Sequence, residues 1–294
     1  MKLHTIDLNF HAPNVIASYL IETAGAPILI ETGPESVFQN LLSGLKALGY
    51  SANDIGSVFV THIHLDHAGS AWRLAEAGAD IFVHPRGAPH LMDPTKLIAS
   101  ARLIYRDKMD SLWGKIKPVT KEKIHLAEDG MCIKIDGAEI KIIDSPGHAS
   151  HHNVYFIDGT LFTGDIGGVC IKDGPVFPPT PPPDINIELW QETIKKLRRL
   201  NPSAICPTHF GVHNGVDRYL DELDSRLTEW MQWIDARMKE GKNDEEIANE
   251  FNEMVRGVFR RFSLPDSLLK SYEAADPSWM NVQGLLRYWR KFRS

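Results

Sequence analysis

The segment Thr61-His62-Ile63-His64-Leu65-Asp66-His67-Ala68-Gly69 places three imidazoles and a carboxylate within six residues. Neutral imidazole together with a hard carboxylate suits zinc, iron or manganese. On an extended chain the period of two turns His62, His64 and Asp66 toward one side, and His67 joins them only where the backbone turns. Groups of the same chemistry recur downstream: His148 in Ser145-Pro146-Gly147-His148, Asp165 after Gly164, and His209 after Pro207-Thr208. A catalytic zinc usually takes about three protein ligands and keeps a position for water. Seven candidates therefore exceed the needs of one ion and match those of two.

Each group follows a short stretch that reads as a strand: the continuous apolar run 58–60 before His62, then 140–143 before His148, 160–163 before Asp165 and 204–206 before His209. Polar groups at successive strand ends converge on one edge of a sheet, where α/β proteins place their chemistry. Further strands are expected over 15–22, 28–30 and 81–83, with helices over 37–48, closed by Gly49, and 70–77, closed by Gly78. Residues 175–183 are too rich in proline for a helix or central strand and predict an extended surface connector. Beyond His213 no strand pattern remains. Val216, Leu220, Leu223, Leu227, Trp230, Ile234 and Met238 recur at three and four, and helical stretches are expected again over 245–262 and 281–292.

The remaining composition narrows the class. The chain has 294 residues with 38 acidic and 32 basic side chains, a net charge of −6 with its 13 histidines neutral. Mild acidity and the lack of a basic face argue against nucleic acid as a partner. No long uncharged apolar run and no basic-then-apolar start occur, so neither a membrane partner nor a signal peptide is expected. Cys132, Cys170 and Cys206 are odd in number and widely spaced, which suggests a reducing cytoplasm instead of a disulfide framework.

His62-x-His64-x-Asp66-His67, followed by Ser-Pro-Gly-His148, Gly-Asp165 and a strand-terminal His209, resembles the metallo-β-lactamase-fold hydrolases, and within them the glyoxalase II-like branch. The resemblance implies a four-layer αββα sandwich over residues 1–212, with residues 213–294 as an all-helical C-terminal extension capping the active site. By position, it implies that His62, His64 and His148 hold one divalent metal, that Asp66, His67 and His209 hold a second, and that Asp165 bridges them. Zinc stands foremost, with iron or manganese as alternatives. Two departures mark this chain: Glu31-Thr32-Gly33 where the family often has Asp-Thr-Gly, and His151 where a glycine is usual before the second histidine, here His152. No set of basic and tyrosine residues for glutathione is identified.

The chemistry expected is metal-assisted hydrolysis: a bridging hydroxide, oriented by Asp66, attacks a thioester or related small ester. Phosphodiesterase, phosphotriesterase and lactonase activities are alternatives on the same site. A regulatory pseudo-enzyme that binds a partner through its helical extension is a third reading. The expected partner is a small-molecule substrate, with a homodimer as the possible assembly.

Overall fold

Alternation along the strands decides the layering. In residues 17–22, Ala17, Tyr19 and Ile21 enter one core while Leu20 enters another. The computed structural model describes residues 2–293. Its strands are β1 (Lys2–Asp7), β2 (Ala17–Glu22), β3 (Ile28–Ile30), β4 (Ser57–Phe59), β5 (Asp80–Val83), β6 (Ile124–Leu126), β7 (Cys132–Ile135), β8 (Ala138–Asp144), β9 (Asn153–Ile157), β10 (Thr160–Phe162) and β11 (Ala204–Cys206). One mixed sheet runs β1-β2-β3-β4-β5-β6 and the other β11-β10-β9-β8-β7.

Between the sheets lie Tyr19, Ile28, Ile30 and Phe59 from the first and Ile140, Ile142, Tyr155 and Phe162 from the second. Full burial of such a side chain contributes about 1.5–3 kcal/mol. The outer face of the first sheet is covered by α1 (Phe38–Ala47), α2 (Leu65–Ala68), α3 (Ala71–Glu76), α4 (Ala88–Met92), α5 (Thr95–Tyr105) and α6 (Met109–Trp113). Helices α7 (Ile187–Arg198), α8 (Val216–Lys239), α9 (Asp244–Phe262), α10 (Asp266–Ala275) and α11 (Ser278–Phe292) cover the second. Helix–sheet–sheet–helix layering is the expected sandwich, with α8–α11 as the C-terminal helices.

The C-terminal helices share a core with the second sheet. Leu161 and Ile205 of that sheet and Trp190 of α7 belong to the same buried cluster as Leu220, Leu227 and Trp230 of α8, Phe251 of α9 and Leu285 of α11. Asn243 caps α9 reciprocally with Glu246, which gives this helix a defined start. Helix α10 also reaches the other half of the molecule: Ser271 Oγ donates to Pro13 O at 2.8 Å, while Tyr272 Oη donates to Pro175 O at 2.8 Å.

The proline-rich segment differs from the surface connector expected. Residues 174–180 are buried beneath the C-terminal helices. The Val176 N–H donates to Glu222 Oε1 at 2.9 Å and Phe177 pairs with Val169 as an isolated bridge. Proline lacks a donor, so burying this run leaves few N–H groups to satisfy, and those of Val176, Phe177 and Thr180 all have partners. Among the described residues, no helix is long and apolar enough to cross a membrane.

Candidate metal centre

All seven predicted residues meet at one edge of the sandwich. Strand β4 delivers His62, β8 leads to His148, β10 to Asp165 and β11 to His209. The chain remains extended only as far as His64, the N-terminal cap of α2 at φ −60° and ψ 151°. The single turn of α2 then carries both Asp66 and His67 inward, so it is a helical turn and not a two-residue period that brings Asp66 to the site.

The side chains fall into two groups, His62/His64/His148/Asp165 and Asp66/His67/His209, whose donor atoms lie within 4.8 Å of one another in each. Asp165 faces both. Its Oδ2 lies 3.2 Å from His148 Nε2 and 3.9 Å from His62 Nε2, while its Oδ1 lies 3.2 Å from His67 Nε2 and 3.5 Å from His209 Nε2. Asp66 Oδ2 closes the second group at 3.6 Å from both His67 Nε2 and His209 Nε2. His64 presents Nδ1, 3.1 Å from His148 Nε2.

The other four imidazoles present Nε2 because each Nδ1 is held from behind. Nδ1 of His62 meets Thr61 Oγ1 at 3.0 Å and that of His67 meets Glu31 Oε1 at 3.1 Å. His148 Nδ1 donates to Pro179 O at 2.9 Å and His209 Nδ1 to Val15 O at 2.5 Å. Outer bonds of this kind fix tautomer and ring direction in metal sites. Glu31 takes the supporting role expected of it: besides His67, it accepts from Thr61 Oγ1 at 2.5 Å and from Thr208 Oγ1 at 3.2 Å, tying together the ends of β3, β4 and β11.

The donor set fits two hard or borderline divalent cations. His62 Nε2, His67 Nε2 and Asp165 Oδ1 are buried with no hydrogen-bond partner, although buried polar atoms are almost always paired. Burial and the neighbouring imidazoles hold His62 and His64 well below the ordinary histidine value, which favours the neutral form a ligand requires. Burial also disfavours charge on His67, but Asp165, Asp66 and Glu31 outweigh it and hold its pKa well above the usual range. Burial would raise Asp66, yet His67 and a hydrogen bond from His209 bring its carboxyl down to about 2. The second group thus has a strong preference for positive charge.

Other predicted histidines stand outside the two groups. His152 stacks on the His62 ring with centroids 4.8 Å apart. His151 lies 5.7 Å from His64 between ring centroids, and burial lowers it to about 4. His213 is turned away, its Nε2 2.8 Å from Phe210 O. Ser145 donates to Ile143 O and Ser150 to the Asp184 carboxylate, so neither hydroxyl is paired with an imidazole.

Two residues near the site carried no sequence signal. Burial and the Asp66 charge push the Tyr105 hydroxyl of α5 above its ordinary value, and this hydroxyl lies 3.9 Å from Met280 Sδ. Asp276, at the corner between α10 and α11, is raised to about 8 by burial, against a hydrogen bond from Asn281, and lies within electrostatic reach of Asp165 and His209. The C-terminal helices therefore supply an acid beside the second group.

Comparison with known proteins agrees with this architecture. A family model described as the metallo-beta-lactamase superfamily matches residues 12–209. A "Beta-lactamase-like protein 2 homolog" from Caenorhabditis elegans is 26% identical over 243 residues, covering 81% of this chain and 67% of that protein. An "Atrochrysone carboxyl ACP thioesterase" from Aspergillus fumigatus is 23% identical over 257 residues, covering 83% and 68%. The crystal structure of a metallo-beta-lactamase family protein from Thermus thermophilus superposes with a TM-score of 0.73 at 19% identity, over 98% of this chain and 93% of that one. That superposition extends through the C-terminal helices. A metal-dependent hydrolase is consistent with the His/Asp site, and with its strand-end ligands on this double sheet the chain belongs to the metallo-β-lactamase superfamily.

Proposed function

We propose that the protein is a dinuclear metal-dependent hydrolase of the glyoxalase II-like kind that cleaves a thioester or related small ester. The observation carrying this reading is the division of Asp165 between the two groups, one oxygen to each. His62, His64 and His148 would hold one ion, Asp66, His67 and His209 the other, with Asp165 between them and zinc as the first metal to test. Two such cations lower the pKa of a water and accept negative charge developing on a carbonyl oxygen. Asp66 orients the attacking oxygen through its carboxylate. His62, His67, His148 and His209, fixed from behind, keep the geometry without reorganisation.

The thioester preference is supported by the activity in the name of the Aspergillus relative and by the resemblance of the motif set. Residues 1–212 form the catalytic unit and residues 213–294 its helical cap; the partner is a small-molecule substrate, with no role for nucleic acid or membrane. Metal analysis combined with a substrate panel tests the reading. Two equivalents of metal with turnover of S-acylglutathione or acyl-CoA are expected. Turnover confined to bis-aryl phosphates would make it a phosphodiesterase, and turnover confined to lactones a lactonase. No turnover at full metal loading would favour a regulatory protein.

A further inference from the structure

His148 is braced by a segment far from it in the chain. Its Nδ1 donates to Pro179 O, and the next residue, Thr180, is fully buried against α11. The Thr180 N–H donates to Asn281 Oδ1 at 2.6 Å, and its hydroxyl lies 3.2 Å from Asn281 O and 3.1 Å from Asn281 Oδ1. Asn281 is 2% exposed, and its amide lies close enough to Asp276 to lower that acid against the rise that burial causes. One helical turn on, a Cβ at Gly284 would overlap the Thr180 carbonyl oxygen, which shows how closely α11 approaches the segment.

We infer that Asn281 is a positioning residue of the metal centre, holding Thr180 so that the adjacent Pro179 carbonyl fixes the tautomer and direction of His148. Consecutive prolines make the segment stiff, so a shift of Thr180 carries the Pro179 carbonyl with it. The C-terminal helices then belong to the machinery of the first metal position, besides covering the substrate side. This rests on the proposed role of His148 as a ligand.

The test is a two-site Zn(II) titration of the full-length protein against a chromophoric chelator, with Co(II) absorption spectra as a second readout. Wild-type protein is expected to bind two equivalents. Asn281→Leu removes both amide functions and is expected to weaken one equivalent by about 10–100-fold, the range typical of outer-shell changes, and to alter the Co(II) spectrum. The other equivalent should stay within about threefold. D276N/N281D exchanges the two side chains, keeps an acceptor for the Thr180 N–H and should restore the weakened equivalent. Gly284→Ala, which pushes on the Thr180 carbonyl next to that of Pro179, should reproduce the loss and carries the test if N281L does not fold.

Two unchanged affinities in folded N281L, or equal weakening of both, overturn the inference; so does a D276N/N281D protein as impaired as N281L. Failure of wild-type protein to bind a second equivalent overturns the dinuclear reading itself. The two failures are thus distinct.

Discussion

The Glu31 carboxylate lies 3.1 Å from Nδ1 of His67, on the far side of the ring from Asp165. Glu31 follows β3 at φ +64° and is fully buried, and its extra methylene relative to aspartate spans the distance to three strand ends. The imidazole is thereby held between two carboxylates, with one nitrogen anchored and the other free for a cation.

Glu31→Gln keeps the length but removes the charge that supports His67. Metal affinity at the second group should fall about 10–100-fold. Glu31→Asp, too short to reach Thr61, His67 and Thr208 together, should lose at least as much. Competition titration of each variant checks this, and wild-type affinity in both would refute the role given to Glu31.

Asp165→Ala removes an oxygen from each group at once. Both metal equivalents should weaken and activity should fall by more than the roughly 10–100-fold typical of outer-shell changes. His64→Ala should lower metal content and activity too, with the loss concentrated in the first group. Far-ultraviolet circular dichroism should stay close to wild type in both, because neither side chain builds a core.

Metal loading should release protons near neutrality. In the metal-free protein Asp165, Asp66 and Glu31 overcome burial and keep His67 protonated above the ordinary range, whereas a ligating imidazole must be neutral. Affinity therefore falls as pH falls, and the dependence persists to higher pH than an unperturbed histidine of about 6.5 would give. Calorimetry at pH 7 in buffers of different ionisation enthalpy should show net proton release on metal binding. No buffer dependence would contradict the arrangement.

Asp276→Asn should stabilise the metal-free protein in a pH-dependent way. An acid raised to about 8 when folded, against about 3.9 unfolded, keeps its proton longer in the folded chain. Stability associated with it is full below about pH 4 and declines as pH rises to about 8. The advantage of the D276N variant should thus be near zero at pH 4 and about 1–3 kcal/mol at pH 8, allowing for solvent screening. Urea denaturation at the two pH values measures it; an equal advantage at both would place the effect elsewhere.

The centre was legible in the sequence because its ligands are local. Each follows a short strand, and the cluster from His62 to His67 sits within one strand-to-helix passage. Local pattern failed where the turn came early: the helical cap at His64 ended the two-residue period. It also passed over α4–α6, where Pro89, Pro94 and short lengths interrupt the apolar period, and α10, whose ten residues lie between two proline-containing breaks. The buried proline segment was invisible for a different reason. Its partners Glu222, Tyr272 and Asn281 lie 46 to 101 residues away, and a hydrogen bond across that separation imposes no spacing on either segment.

Ser271 and Tyr272 are neighbours, yet one bonds the loop before β2 and the other the proline segment after β10. The two halves of the sandwich are therefore riveted across this side of the centre by the span of a single peptide unit. The gap there cannot widen without breaking one of these bonds.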